Sequence, residues 1–216
     1  MIRQGAAKKQ PRGGPADKRC AILAGALTVF ARDGYTRASI DAISSAAGVS
    51  TRTIYNHFQD KTELFRTVIQ ESAVQAATAQ TAVIDRYLRE VTDLETALVD
   101  FARAWAALTA DDADHYDLVR RLDADAGHLP AELVGAWQET GPLRVRRQLA
   151  IRFTELADRG LLRIEDADGA ASHFLLLVSA TGTSRPRPAL SEKERDEFAV
   201  TGVRAFLHGY LGSAPR

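Results

Sequence analysis

The chain has 216 residues, of which 45% are hydrophobic, 26% charged and 7% aromatic, with one cysteine. That length and apolar content can bury a sizeable core in one or two domains, and Cys20, having no partner, excludes an internal disulfide and suits a reducing cytoplasm. The zero net charge hides an asymmetry: residues 1–70 hold 11 Lys and Arg against 5 Asp and Glu, a net +6, and the rest carry −6, as expected of a small nucleic-acid head on a larger body.

Residues 1–15, MIRQGAAKKQPRGGP, read as a disordered basic arm, either an inert solvated tail or a segment reaching DNA. With no apolar run in it, this segment is not a signal peptide. The first helix is expected from about Asp17 to Arg32, with Leu23, Leu27 and Phe30 on one face and Gly34 closing it. Ser39 is a good N-cap for a short helix over Ile40 to Ala47, whose Ile40, Ile43 and Ala47 share a face. Gly48 ends that helix in the left-handed conformation. Ser50 then caps a second short helix from Thr51 to about His57, with Ile54 and Phe58 one turn apart on its buried side. Asp60-Lys61-Thr62-Glu63 resembles a capping box opening a third, longer helix to about Thr81. A helix-turn-helix with short polar and basic side chains at the start of its second helix is built to reach base edges and phosphates.

Beyond residue 66 the sequence reads as all-helical, rich in Ala, Leu, Arg and Glu. Thr92 to Glu95 reads as a capping box for a helix carrying Leu94, Leu98, Phe101 and Trp105 on one stripe. Further helices are expected over His115 to Ala126, Pro130 to Glu139, Leu143 to Asp158 and Asp168 to Ala180. Ser191 to Glu194 caps the last one, which carries Phe198, Phe206 and Tyr210. The longest apolar stretch, Phe174 to Val178, is far too short to cross a membrane. No glycine-rich phosphate loop, nucleophile elbow or Cys/His pairing is present, so no catalytic residue and no cofactor is expected. Asp111, Asp112, Asp114 and His115 form one carboxylate–imidazole grouping, and Asp123, Asp125 and His128 another. Both have metal-ligand chemistry, but they fall at helix ends where Asp serves as cap and solvated charge, so no metal is expected.

The segment from Ile22 to Phe65 resembles the DNA-binding domain of the TetR family of bacterial transcriptional regulators. The residues that carry the resemblance are Ile22 to Leu27, Phe30 to Tyr35, Ile43, Ala46 to Ser50, Ile54 to Phe58, Lys61 and Leu64-Phe65. The resemblance implies an all-α protein: an arm over 1–15, a three-helix DNA-binding domain over 16–65, and a helical ligand-binding and dimerisation domain over 66–216, loosely like the AefR-like subgroup. It implies base and phosphate contacts from Thr51, Arg52, Thr53, Tyr55, Asn56 and His57, with Lys61 also on phosphate. Ser39 and Ser50 are expected to cap, and can also meet phosphate through their helix N-termini. A homodimer joined through the last two helices is implied, with Leu175, Leu176, Val178, Phe198, Val203, Phe206 and Leu207 as interface candidates. Its two recognition helices, roughly 34–36 Å apart or somewhat more, would need a near-palindromic double-stranded operator. An unknown small-molecule effector, hydrophobic or aromatic, would sit among Phe101, Trp105, Tyr116, Trp137, Phe153, His173 and Phe174, although each of these also suits an ordinary core. Repression is the family's usual mode, and activation would use the same residues, as would a regulator without an effector.

Overall fold

The computed structural model describes residues 14–125, 129–179 and 191–210, the side chains at 109–111, 123 and 125 excepted. Most of the expected basic arm, the loop at 185–188, His128 and the side chains of Asp111, Asp123 and Asp125 lie outside the described residues. Among the described residues the elements are ten α-helices and no strand. They are α1 (Pro15–Arg37), α2 (Ile40–Ala47), α3 (Thr51–Tyr55), α4 (Lys61–Leu88), α5 (Leu94–Asp111), α6 (Ala113–Asp125), α7 (Ala131–Thr140), α8 (Pro142–Asp158), α9 (Ala167–Val178) and α10 (Glu192–Tyr210). The chain divides into two compact units between Val68 and Ile69. That division is three residues beyond the 65/66 boundary expected from sequence, and it lies inside α4 rather than in a linker.

The first unit is built on a close approach of α1 and α2. A Cβ on Gly25 would lie 2.7 Å from the backbone nitrogen of Ala47, so only glycine lets the two helices meet there. This approach fixes which face of α1 turns inward. Ile22, Ala26, Val29 and Phe30 are buried, while Leu23 and Leu27, expected at the centre of the stripe, are half-exposed beside it. Phe30 meets Phe65 edge-on at 4.8 Å, and Ile43, Ile54, Phe58 and Leu64 complete the core. Gly34, at φ 74°, breaks the regular α1 backbone, and one more turn follows to Arg37.

The second unit has a core of interleaved rings. Phe153 lies edge-on to Phe174 at 5.5 Å, Phe174 edge-on to Phe206 at 5.0 Å, and Phe101 stacks on Phe174 at 5.6 Å. Each buried ring of this size is worth about 1.5–3 kcal/mol over an exposed one. Helix α10 reaches α9 at Gly202, where a Cβ would lie 2.2 Å from the Leu177 carbonyl oxygen. Helix α4 runs seven residues past its expected end because Ala77, Ile84 and Leu88 keep one face in this core. Asp85 on α4 accepts from Arg152 on α8 at 2.8 Å and from Gln148 at 3.1 Å. The Arg152 hydrogen bond holds the Asp85 carboxyl below its usual range. The cap of α5 is Asp93, which accepts from the Thr96 N–H at 2.7 Å, rather than Thr92. Ser191 and Glu194 form the reciprocal box expected at the start of α10.

Candidate nucleic-acid interface and effector cavity

The turn between α2 and α3 is set by two short caps and one glycine. Ser39 Oγ accepts from the Ala42 N–H at 3.1 Å, and Ser50 Oγ accepts from the Thr53 N–H at 3.2 Å. Between them Gly48 takes φ 65°, and the Val49 N–H closes on the Ser44 carbonyl at 3.0 Å, satisfying a carbonyl at the end of α2. Helix α3 ends at Tyr55, two residues earlier than expected, because the His57 N–H reaches back three residues to Ile54.

Ile54 and Phe58 anchor α3 in the core, and the anchoring leaves the opposite face to solvent. Arg52, Tyr55 and Asn56 are exposed, Tyr55 at 55%. None of the three side chains has a hydrogen-bond partner among the described residues. Thr51, Thr53 and His57 are half-buried at the margins. The Thr53 hydroxyl is engaged with Ser50 Oγ at 2.8 Å, so it is partly spent on the cap. Lys61, expected on phosphate, is largely committed to the fold. Its ammonium donates to the carbonyls of Tyr35 at 2.9 Å and Ala38 at 3.1 Å, and lies 4.6 Å from the centre of the Tyr35 ring. Of its three N–H donors, one is left for an outside acceptor. Tyr35 is itself held by Thr62 Oγ1 at 2.9 Å. The α1–α2 joint is thus bolted to the start of α4 through Tyr35, Thr62 and Lys61, the last of which sequence reading assigned to a phosphate.

The second unit holds a partly open cavity of about 190 Å³. Small residues on α4, Ala73 and Ala76, open one wall, and Gly141-Pro142 between α7 and α8 opens another. Trp105, Tyr116 and Trp137 line it, as three of the seven expected ligand residues. Phe101, Phe153 and Phe174 do not: all three are fully buried in the ring cluster of the core. His173 is exposed and bonds the Tyr210 hydroxyl at 2.7 Å. The lining residues that sequence reading missed include Gln80, His115 and Leu175. The alanines at helical spacing before Gln80, facing a Gly-Pro break, were the available signal.

His115 is buried, and its Nδ1 pairs with Ser72 Oγ at 2.7 Å. Burial holds its pKa below the ordinary value, against the opposing pull of Asp112. Burial likewise pushes the Tyr116 phenol up, its hydroxyl accepting from Gln80 Nε2 at 2.7 Å. No group of His, Cys, Asp and Glu among the described residues could hold a metal ion.

Of the seven interface candidates, Val178, Val203, Phe206 and Leu207 are buried in the chain's own core, where the α9–α10 contact at Gly202 places them. Leu175 lines the cavity. Leu176, 73% exposed on α9, and Phe198, 39% exposed on α10, remain as outward apolar groups.

Residues 22–68 match the family model described as bacterial regulatory proteins, tetR family, and residues 96–211 match the AefR-like transcriptional repressor, C-terminal domain. The chain belongs to the TetR family. It is a DNA-binding transcriptional regulator and not an enzyme. A TetR-family regulator from Mesorhizobium loti has the same fold at a TM-score of 0.77 and 30% identity, over 92% of this chain and 99% of that one. A solved protein described as the flavonoid-responsive regulator FrrA aligns over 92% of this chain and 100% of its own, at 27% identity and a TM-score of 0.60. The transcriptional activator FasR of Mycolicibacterium smegmatis is 31% identical over 124 residues, 54% of this chain. The repressor AcnR of Corynebacterium efficiens is 38% identical over 63 residues, 29% of this chain. These matches span 55% of FasR and 34% of AcnR. Among the described residues, no helix of this TetR-family chain is long and apolar enough to cross a membrane.

Proposed function

We propose that this regulator is a repressor that binds a near-palindromic operator as a homodimer and leaves it when a small, mainly apolar effector binds. The observation that carries the reading is the pairing of an outward α3 face, with Arg52, Tyr55 and Asn56 unpartnered among the described residues, and an aromatic-walled cavity in the second unit. Arg52 reads guanine through its two-pronged guanidinium, and Thr51 offers a hydroxyl and a methyl to thymine. Tyr55, Asn56, His57, Thr53 and the one free N–H of Lys61 take phosphates or flanking base edges, and the α2 and α3 N-termini at Ser39 and Ser50 add backbone donors. A second copy covers Leu176 and Phe198, the outward apolar groups of α9 and α10.

The effector shifts the balance between two states, one of which holds the two heads at the wrong spacing for adjacent grooves. The description of FrrA as flavonoid-responsive and of AcnR as a repressor support the ligand and the sign of control. FasR, described as an activator, favours the opposite sign as the second reading. Capture of fragmented genomic DNA by the purified protein near physiological salt, followed by sequencing, tests the core of the proposal. A few sharp peaks sharing a palindrome are expected. Diffuse, salt-sensitive binding without a shared motif would reduce the head to generic DNA affinity.

A further inference from the structure

The cavity of the second unit is apolar except at one end, and that end defines the chemistry of its occupant. This inference rests on reading the cavity as an effector site. Among the described residues lining it there is no Lys, Arg, Asp or Glu. An anionic occupant would therefore enter without a countercharge, at high desolvation cost, and Asp112, whose charge acts on both His115 and Tyr116, would oppose it further. The polar end consists of His115 and Tyr116, adjacent on α6, with Gln80 of α4 beside Tyr116. His115 spends Nδ1 on Ser72, and its Nε2 has no partner among the described residues and is not sealed off from solvent, Arg146 Nε being the fully buried side-chain nitrogen left without a hydrogen-bond partner among them. Tyr116 accepts from Gln80 and keeps its own O–H proton to give. Their rings meet edge-on at 5.0 Å.

We infer that the site takes an uncharged molecule whose inserted part is about the size of one ring, carrying a hydroxyl that binds between His115 Nε2 and the Tyr116 hydroxyl, with its apolar body against Trp105 and Trp137. A hydroxyl suits the pair because it both donates and accepts. It gives its proton to Nε2 and receives that of Tyr116, or with the other imidazole tautomer accepts from Nε2–H. The size of the inserted part follows from the volume, the cavity being partly open to solvent. About 190 Å³ is somewhat more than the roughly 150 Å³ apolar cavity that accommodates benzene. The depressed pKa of His115 agrees, since it keeps the imidazole neutral and able to present a lone pair.

The test exploits the composition of the chain. Its two tryptophans, Trp105 and Trp137, both line this cavity, so intrinsic fluorescence of the full-length protein reads occupancy directly. Four probes of one ring size are titrated: 4-methylphenol, toluene, benzoate and benzyltrimethylammonium. Saturable change with 4-methylphenol is expected, with toluene weaker by roughly tenfold, the scale of one or two hydrogen bonds, and neither ion binding in the same range. Tyr116→Phe, which removes one oxygen, should bring 4-methylphenol down towards toluene. His115→Phe should do the same, and Tyr116→Phe keeps the test valid if the histidine variant fails to fold. Tighter binding of benzoate or of the ammonium would overturn the inference, as would equal binding of toluene and 4-methylphenol. No saturable response to any probe would overturn it as well, and would remove the cavity from the proposed function. Operator release is measured separately. If 4-methylphenol binds as expected but leaves the operator complex intact, the inference stands and the effector reading falls.

Discussion

In the first unit, Arg52, Tyr55 and Asn56 stand in solvent above a core that needs none of them. In the second, His115 and Tyr116 sit in the wall of a cavity and take part in the packing that forms it. The difference separates binding from stability in one unit and couples them in the other. A side chain on the outer face of α3 can change what the head reads at little cost to folding, because surface substitutions away from caps and networks usually stay within about 0.5 kcal/mol. A side chain at the polar end of the cavity has no such freedom, since removing it leaves Ser72 or Gln80 without its partner.

The largest expected effect comes from attacking the platform beneath α3. Gly25→Val should destabilise the first unit by about 3 kcal/mol, because its side chain would need the space held by the Ala47 backbone. Denaturant unfolding should show it, with operator binding lost as well. A variant of wild-type stability would mean that α1 and α2 do not approach as described. Next, Arg52→Ala should leave the melting temperature in place yet cost about 1–3 kcal/mol on the operator and relax one position per half-site. Competition binding against operators mutated base by base measures this. A loss of stability instead would break the separation drawn between the units.

The head was legible in the sequence because its determinants are local. Ser39, Gly48 and Ser50 each set one cap or one turn through neighbours no more than four residues away, and the helix bounds of α2 follow. What the sequence hid there is long-range: the bracket from Lys61 to Tyr35 and Ala38 spans more than 20 residues and reassigns a side chain by geometry alone. The cavity was harder for the same reason. Phe101 and Trp105 lie four residues apart on one stripe of α5, yet Phe101 enters the ring cluster and Trp105 the cavity wall, since what decides is the distant neighbour each one meets, Phe174 of α9 for Phe101 and the residues of α6, α7 and α8 that share the cavity for Trp105. Likewise Val203, Phe206 and Leu207 read as an apolar face, and nothing in the pattern tells a face buried in the chain from one kept for a second copy.

Lys61 lies between the two behaviours, two of its donors held by the fold and one left for an outside acceptor. Lys61→Ala should cost about 1–2 kcal/mol of stability, from two charge-assisted hydrogen bonds to part-buried carbonyls. It should also weaken all DNA sequences alike and lower the salt slope by about one. Melting and salt-dependent binding on one preparation separate the roles. Lower stability with an unchanged slope would make Lys61 a bracket and nothing more.

The smallest effect is in the pH dependence of the second unit. The groups bearing on His115 are Ser72 through Nδ1, Tyr116 edge-on, and Asp112 by charge; burial outweighs Asp112 and keeps the folded-state pKa depressed. The sign follows from proton uptake. The unfolded chain protonates His115 as pH falls through the ordinary value near 6.5, while the folded chain resists. This contribution to stability is therefore present above about pH 6.5, declines as pH falls towards the folded pKa, and is constant below it. Melting between pH 8 and pH 5 should fall more steeply for the wild type than for His115→Gln, which is less stable at neutral pH but has no imidazole to charge. Asp85 works in the same direction only further into acid, because a carboxylate held low by Arg152 gives up its contribution below the ordinary carboxylate range. Parallel melting curves for wild type and His115→Gln across that window would show that the imidazole charges freely in the folded protein, and the polar end of the cavity would then be as open to water as the α3 face.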